Sequence, residues 1–428
     1  MERPVNSARR MVGARPANPA PNQMRVLHLL VTRGALSRAD IARQTSLTKA
    51  TASRIISDLV SHNLVREVGL GRLSRGRRPI LYEFNTSSAI ALGIEVRQKE
   101  CRAVVTELDA TPLRSYQLPL PDKSVTTLLA ALEKLVATVR QEFALELVGI
   151  GVGIPGIYDY PRQMVVLAEH LEWTQVELAR LIRERLNLNV YIVNRANAAA
   201  LGEKWYGAGR GCDDLVFINI GSGIKAGLVV GGNLFWGSNG SAGEIGHMTI
   251  VPDGPVCVCG KRGCLEALAS TTAIVARFNA LVRAGKAQPF PGRSEAAAEL
   301  VGREELLAAA QAGDPAMLGV LREAGTYIGI AVANLINIFN PKRVILGGLV
   351  SQAPPDFLDA IKRAAELHAF AIPWQAAEIV LADLGQDAVA IGAAALLLSA
   401  YLEPSNNTLS LALSDFGPAS QPQTAASR

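Results

Sequence analysis

One histidine and three cysteines in the middle of this chain leave the backbone there little freedom. The run Gly243-Glu244-Ile245-Gly246-His247 is followed, after nine intervening residues, by Cys257-Val258-Cys259-Gly260-Lys261-Arg262-Gly263-Cys264-Leu265-Glu266. Three thiolates and one imidazole at these spacings suit a single tetrahedral zinc ion, and the glycines let the chain wind tightly around it. Four protein ligands fill the coordination sphere. The spacing therefore predicts a structural Zn2+ site of His247, Cys257, Cys259 and Cys264, not a hydrolytic one, which needs an open position for water. The remaining cysteines, Cys101 and Cys212, are far apart in sequence. That usage fits a reducing cytoplasm better than a disulfide scaffold.

A chain of 428 residues predicts two to four domains with a sizeable core. Its 49% hydrophobic content is that of a soluble globular protein. The longest apolar run, Ala388 to Leu402, is too short and too rich in Ala and Gly for a membrane span, which predicts a buried helix. Residues 1–22 contain arginines and prolines but no apolar stretch of the secretory kind. A cytoplasmic protein with no membrane partner is expected. Charge is divided unevenly: residues 1–84 carry a net +10, and the rest of the chain −5. A basic head on an acidic body implies that the head alone meets a polyanion.

Residues 1–22 read as a disordered basic tail, and residues 403–428, rich in Ser, Pro, Asn and Gln, as a second disordered tail. Residues 23–85 read as a winged helix-turn-helix. A first helix runs from Gln23 to Arg33 and stops at Gly34. Ser37-Arg38-Ala39-Asp40 resembles a capping box that opens a second helix. Thr48 is the expected cap of a third helix, whose inner face is Ala52, Ile55, Ile56, Leu59 and Val60. Two strands, Leu64–Val68 and Pro79–Phe84, flank a basic wing tip at Gly71–Arg78. The outer face of the third helix offers Thr48, Lys49, Thr51, Ser53 and Arg54 to a major groove. Arg75, Arg77 and Arg78 of the wing can follow phosphates or enter a narrow minor groove. The expected partner is double-stranded DNA.

From Ala89 onward the pattern is α/β, with short Val/Ile/Leu strands between amphipathic helices. Strands are expected at Ile90–Val96, Cys101–Leu108, Leu147–Val152, Val190–Val193, Leu215–Ile220, Ala226–Val230, Arg343–Leu346 and Glu378–Leu381. Helices are expected at Ser124–Leu145, Trp173–Leu186, Ala196–Tyr206, Thr271–Ala284, Asp314–Asn340 and Ala388–Leu402. Glycine-rich turns around Gly93 and Gly221 suggest two similar halves.

GEIGH followed by CxCGxxGCLE resembles the signature of the ROK family, which contains bacterial sugar kinases and sugar-responsive repressors. The likeness covers residues 23–400. It implies, for residues 86–402, a two-lobed, sugar-binding domain with the duplicated actin-like ATPase fold of sugar kinases. Gly151-Val152-Gly153-Ile154-Pro155-Gly156 is similar to the family's sugar-side loop, and His170-Leu171-Glu172-Trp173 to its Asn-Leu-x-Trp segment. Asn194-Arg195-Ala196-Asn197-Ala198-Ala199-Ala200-Leu201-Gly202-Glu203 corresponds to NDANAAALGE. By this resemblance Gly153, His170, Asn194, Arg195, Glu244, His247 and Glu266 lie at the sugar. Carboxylates and amides suit vicinal hydroxyls. Zinc on His247 holds one wall in place.

The chain also departs from the family's kinases. Where they carry the Asp that acts as general base stands Arg195, a permanent cation that cannot take a proton. The Asp-x-Gly-Gly-Thr turn is replaced by Glu95-Val96-Arg97-Gln98-Lys99, and the second phosphate loop, Gly221-Ser222-Gly223-Ile224-Lys225, has Lys225 where Gly is usual. These changes predict a non-enzyme that has lost phosphotransfer, in contrast to an active sugar kinase with an added head. Arg195 is open to three readings: it pairs with a phosphate or carboxylate on the ligand, pairs with a neighbouring acid such as Glu244 or Glu266, or swings out to solvent. The expected protein is a sugar-responsive regulator, most simply a repressor. It takes a sugar or sugar-phosphate effector and acts as a homo-oligomer, dimer or tetramer, on a palindromic operator.

Overall fold

The computed structural model describes residues 21–70, 78–288 and 302–402. Both predicted tails lie outside the described residues except Pro21 and Asn22. These two open the first helix, where proline's fixed φ and missing N–H cost nothing.

The head consists of α1 (Pro21–Arg33), β1 (Leu36–Ser37), α2 (Arg38–Thr45), α3 (Lys49–Ser61), β2 (Val65–Leu70) and β3 (Ile80–Phe84). Gly34, at φ +73°, ends α1 and donates its N–H to the Leu30 carbonyl. Ser37 caps α2 by accepting the Asp40 N–H at 3.2 Å, and Thr48 caps α3 by accepting that of Thr51 at 3.1 Å. Ala52, Ile55, Ile56 and Leu59 are buried on the inner face of α3. Val60, expected with them, is 36% exposed, because the helical turn carries it past the edge of the apolar stripe. The strands pair antiparallel in the order β1-β3-β2.

The body holds two sheets of one topology. In the first lobe β4 (Ile90–Val96), β5 (Glu100–Glu107) and β6 (Pro112–Pro119) form an antiparallel meander; α4 (Val125–Glu142) leads to β7 (Leu147–Ile154). A small sheet of β8 (Ile157–Asp159), β9 (Met164–Ala168) and β10 (Trp173–Val176) follows, then α5 (Leu178–Leu186), β11 (Asn189–Asn194) and α6 (Arg195–Tyr206). The main strand order is β11-β7-β4-β5-β6, with β7 and β11 parallel to β4. In the second lobe β12 (Leu215–Ile220), β13 (Ile224–Val230) and β14 (Asn233–Leu234) are the meander. Helices α7 (Leu265–Ala269), α8 (Thr271–Arg283), α9 (Arg303–Gln311) and α10 (Pro315–Phe339) precede β15 (Arg343–Gly348), α11 (Pro355–His368), α12 (Ala371–Ala376) and β16 (Glu378–Leu381). Its order, β14-β13-β12-β15-β16, repeats that of the first lobe strand for strand. This is the duplicated, two-lobed fold expected from the resemblance.

Two expectations need correction. Trp173–Val176 is a strand paired with β9, not the start of a helix; Glu172 and Gln175, at φ +60° and +55°, break helical geometry before Leu178. Gly93 belongs to no turn. It lies inside β4, where a Cβ would stand 1.8 Å from the carbonyl oxygen of Ala390. That neighbour belongs to α13 (Ala388–Leu402), a helix apolar on every side and therefore buried. It crosses back to the first lobe and packs between the sheet and α6. The contact is backbone to backbone: a Cβ on Gly392 would fall 1.7 Å from the Ala198 carbonyl oxygen.

The head is joined to the body without a flexible linker. Leu27, Leu30, Ile56 and Phe84 share one core with Ala91 and Val148 of the first lobe and with Ala395, Leu397 and Leu398 of α13. At the junction Asn85 donates to the Asn63 carbonyl, and Thr86 and Ser87 both donate to Glu107. Among the described residues one helix, α10, is long and apolar enough to cross a membrane, and it lies against α11 in the core of the second lobe.

Candidate functional site

The cysteine loop is pinned to the segment after His247. Leu265 donates to the Met248 carbonyl, Ile250 to that of Gly263, and Thr249 and Cys264 bridge antiparallel. Gly263 takes φ +69°, and a Cβ there would collide with the Val251 carbonyl oxygen at 1.6 Å. This folding gathers one ligand atom each from His247, Cys257, Cys259 and Cys264 within 4.8 Å of one another. Cys257 Sγ lies 3.8 Å from His247 Nδ1, and Cys259 Sγ 3.7 Å from Cys264 Sγ. A tetrahedral centre with zinc–sulfur bonds of about 2.3 Å has edges of about 3.8 Å, so the donor set fits zinc in both chemistry and size. Burial pushes the Cys264 thiol up to about 12. A divalent cation between the sulfurs is what lets such a thiol ionise.

The knot fixes two carboxylates. Glu266 follows Cys264 in the first turn of α7, and its Oε2 accepts the Ile224 N–H at 3.0 Å. Glu244 precedes the short turn Ile245–His247, and its Oε1 receives Lys225 Nζ at 2.6 Å. Lys225 and Glu244 line a cavity between the lobes together with Gly156, Tyr158, Tyr160, Asn194, Asn197 and Ser241. About 10 Å³ there can hold the centre of a water, roughly one molecule's worth. Asn194 caps α6 through its Oδ1, which accepts the Ala196 N–H at 2.9 Å, and its Nδ2 donates to the Gly156 carbonyl at 2.7 Å. Tyr160 meets Trp236 edge-on, with ring centroids 4.2 Å apart, and its buried hydroxyl lies beside Asn194 and Asn197.

Of the expected sugar-side residues, Asn194 and Glu244 line this cavity, with His247 and Glu266 behind Glu244 and Ile224. Gly153 does not line it. It is buried in β7, where a Cβ would lie 2.4 Å from Val389 of α13, so close helix packing explains this glycine; Gly156, three residues on, reaches the cavity. His170 is exposed and stands 3.5 Å from Ser222 of the second phosphate loop, across the mouth of the cleft. Sequence reasoning missed the Tyr158/Tyr160 pair, Asn197 and Ser241. One signal was available: Asn197 lies one helical turn from Asn194, on the same face of α6.

Arg195, the first residue of α6, pairs with neither Glu244 nor Glu266. Its Nη2 lies 2.5 Å from Oε1 of Glu95, whose side chain is 1% exposed. Arg97 holds the other oxygen of Glu95 at 2.6 Å and reaches Glu100 at 3.0 Å. The turn after β4, where the family's kinases were expected to cradle a phosphate, thus carries an ion-pair network of Glu95, Arg97, Glu100 and Arg195. Lys225, the matching departure in the second loop, points to Glu244.

On the head, Thr48, Lys49 and Arg54 are exposed and Thr51 and Ser53 half-buried, all within the first two turns of α3 or its cap. Arg38 stacks over Tyr82 at 4.9 Å and donates to the Ser53 carbonyl, fixing α3 against β3. Arg78 is exposed; Arg75 and Arg77 lie outside the described residues.

Comparison with known proteins agrees with this architecture. Residues 91–400 match the model of the ROK family, and residues 18–72 that of the MarR family. A Caldicellulosiruptor bescii protein named xylose repressor is 32% identical over 386 residues, which are 89% of this chain and 96% of that one. The crystal structure of a ROK family transcriptional regulator, a homolog of the E. coli MLC protein, superposes with a TM-score of 0.78. It is 27% identical, over 92% of this chain and 97% of its own. A ROK family glucokinase from Streptomyces griseus, crystallised with glucose and AMPPNP, superposes with a TM-score of 0.63. It is 30% identical, over 72% of this chain and 99% of its own. The family model covers most of the chain and the repressor nearly all of it: this chain belongs to the ROK family.

Proposed function

We propose that this chain is a sugar-responsive, DNA-binding transcriptional regulator, a repressor that acts as a homo-oligomer on a palindromic operator. The observation that carries the reading is the pair of Arg195 and Glu95. The position where the family's kinases hold a base is occupied by a guanidinium, anchored on a buried carboxylate. A guanidinium takes no proton from an attacking hydroxyl, and Arg97 fills the turn where a phosphate has to be cradled. Phosphotransfer is lost and sugar binding kept, through Asn194, Glu244, His247 and Glu266. Zinc, held by His247, Cys257, Cys259 and Cys264, supplies rigidity to that wall and no chemistry.

Binding reaches the head through two helices. Asn194, Arg195 and Asn197 sit at the start of α6; α6 packs along α13; α13 touches α1 of the head. A ligand that favours one lobe arrangement shifts α6, and the spacing of two heads on DNA changes with it. Coupling of about 1–3 kcal/mol suffices for a useful switch. Lys49 and Arg54 of α3 and Arg78 of the wing contact the duplex, with Thr48, Thr51 and Ser53 beside them. Coverage of 89% and 92% of this chain by a repressor and a regulator, against 72% by a glucokinase, supports this reading over a kinase. The test is an ATP-coupled turnover assay on a panel of sugars with the zinc-loaded chain. The regulator gives none; sustained ADP release with any sugar favours the kinase.

A further inference from the structure

The chain passes between its two lobes twice. Residues 207–214 lead from α6 to β12, and residues 382–387 lead from β16 back to α13. One side chain holds both crossings. Glu203, near the end of α6, is wholly buried, and its two carboxylate oxygens accept three backbone N–H groups. Oε2 takes that of Ala208 at 2.8 Å in the first crossing and that of Asp383 at 3.2 Å in the second; Oε1 takes that of Leu384 at 2.9 Å. We propose that Glu203 is the pin of the hinge between the lobes, a positioning residue that fixes their angle and passes it to α13 and the head.

The surroundings of Glu203 suit a carboxylate. Burying one is costly unless its lone pairs are satisfied, and three N–H groups here replace the water that folding removes. Those N–H groups belong to irregular backbone, where no helix or sheet supplies them an acceptor. Gly207 closes the turn over the side chain: a Cβ there would stand 2.0 Å from Oε2. Gly207 and Gly209 also donate to the Glu203 carbonyl, at 3.0 and 2.9 Å. On the far side of the first crossing the Ala208 carbonyl accepts from Arg343 of β15, which is paired with Glu378 of β16 at 2.6 Å. The second crossing is tied to the first lobe as well. Asp387 pairs with Arg102 of β5 at 2.5 Å, and the Gln386 carbonyl accepts from Arg97 at 3.3 Å. Glu95 is shared by Arg97 and Arg195, so the start of α6 reaches the same segment that Glu203 holds from its end. α13 begins directly after that segment, and its Ala395, Leu397 and Leu398 lie in the core shared with the head. A change of lobe angle has to turn the backbone at residues 207–214 and 382–387, and Glu203 is bonded to both.

Hydrogen exchange followed by mass spectrometry, together with small-angle X-ray scattering, tests the pin on the full-length, zinc-loaded chain. In E203Q one acceptor oxygen becomes an NH2 that faces N–H groups. Peptides covering residues 207–214 and 382–387 are expected to exchange about tenfold or more faster than in wild type, and the scattering profile to report a changed lobe arrangement. L321A, which opens space in the core of the second lobe, is the control for plain loss of stability. It is expected to affect the crossings no more than the rest of that lobe and to leave the profile unchanged. Gly207→Ala displaces the same carboxylate from outside and carries the test alone if E203Q does not fold. Wild-type exchange at both crossings overturns the inference. Faster exchange there with a wild-type scattering profile also overturns it, since Glu203 then only fills its pocket. On the regulator reading the moved lobes also shift affinity for DNA from upstream of the chain's own gene, by about fivefold or more. Lobes that move without that shift count against the regulator reading and leave the pin standing.

Discussion

Arg195 Nη2 and Glu95 Oε1 stand 2.5 Å apart, joining the first turn of α6 to the end of β4 across the parallel strands β7 and β11. Restoring the kinase residue alone cannot undo this arrangement. In Arg195→Asp the buried Glu95 loses one of its two guanidinium partners and gains a second negative charge in its surroundings, while Arg97 stays paired with it. The variant is expected to show no ATP turnover and to lose about 1–3 kcal/mol of stability, less than a fully buried pair because Arg195 is partly exposed. Urea denaturation and the coupled assay check both. Turnover in Arg195→Asp contradicts the view that several changes block the reaction together.

On the proposed reading the His247, Cys257, Cys259 and Cys264 cluster binds zinc and holds one wall of the sugar site. Cys264→Ser removes a ligand and loosens the start of α7, where Glu266 sits. The purified chain is expected to release about one zinc on denaturation. The variant is expected to carry much less, to melt at lower temperature and to bind any effector at least about tenfold more weakly. Full zinc content in the variant, or unchanged ligand affinity, runs against this role.

Gly392 allows α13 to touch α6 through backbone atoms. Gly392→Ala places a methyl 1.7 Å from the Ala198 carbonyl oxygen and is expected to cost about 1–3 kcal/mol or more. Gly319, on the exposed side of α10 with nothing within 4 Å of a new Cβ, is the control. Gly319→Ala is expected to stabilise by about 0.5–1 kcal/mol through helix propensity. Chemical denaturation of the two variants side by side measures the contrast, and equal effects mean that α13 is not packed this closely.

Lys49 and Arg54 are exposed on α3. Each Ala substitution is expected to weaken DNA binding, and one that removes a phosphate contact lowers the slope of log K against log salt by about 0.9. Thr48→Ala removes the cap of α3 and costs about 1 kcal/mol of stability. Fluorescence anisotropy over a range of salt reads the first two effects, and thermal melting the third. Wild-type affinity and slope in both Lys49→Ala and Arg54→Ala place the DNA elsewhere.

Local patterns were legible in the sequence. The caps Ser37 and Thr48, the strands Ile90–Val96 and Leu215–Ile220, the helix Ala388–Leu402 and the His/Cys cluster all rest on neighbours a few residues away, and the structure has them as expected. What escaped depends on contacts between distant segments. Nothing near Arg195 announces that Glu95 is its partner, because the strand order brings them together. The short strands β8, β9 and β10 carry too few residues for a period, so Trp173 read as helical. Gly153 looked like a ligand glycine because the demands of a nearby helix and of a nearby ligand leave the same mark. Tyr160 and Trp236 come from different lobes, and only the folded chain brings their rings together.

The most direct test of the regulator account is specific DNA binding under ligand control. The zinc-loaded chain is titrated against DNA from upstream of its own gene at fixed salt, with neutral and acidic sugars added in turn. The account predicts that a palindromic segment binds well above non-specific background and that one sugar shifts the affinity about five-fold or more. Binding no tighter than to unrelated DNA, with or without every sugar, contradicts it.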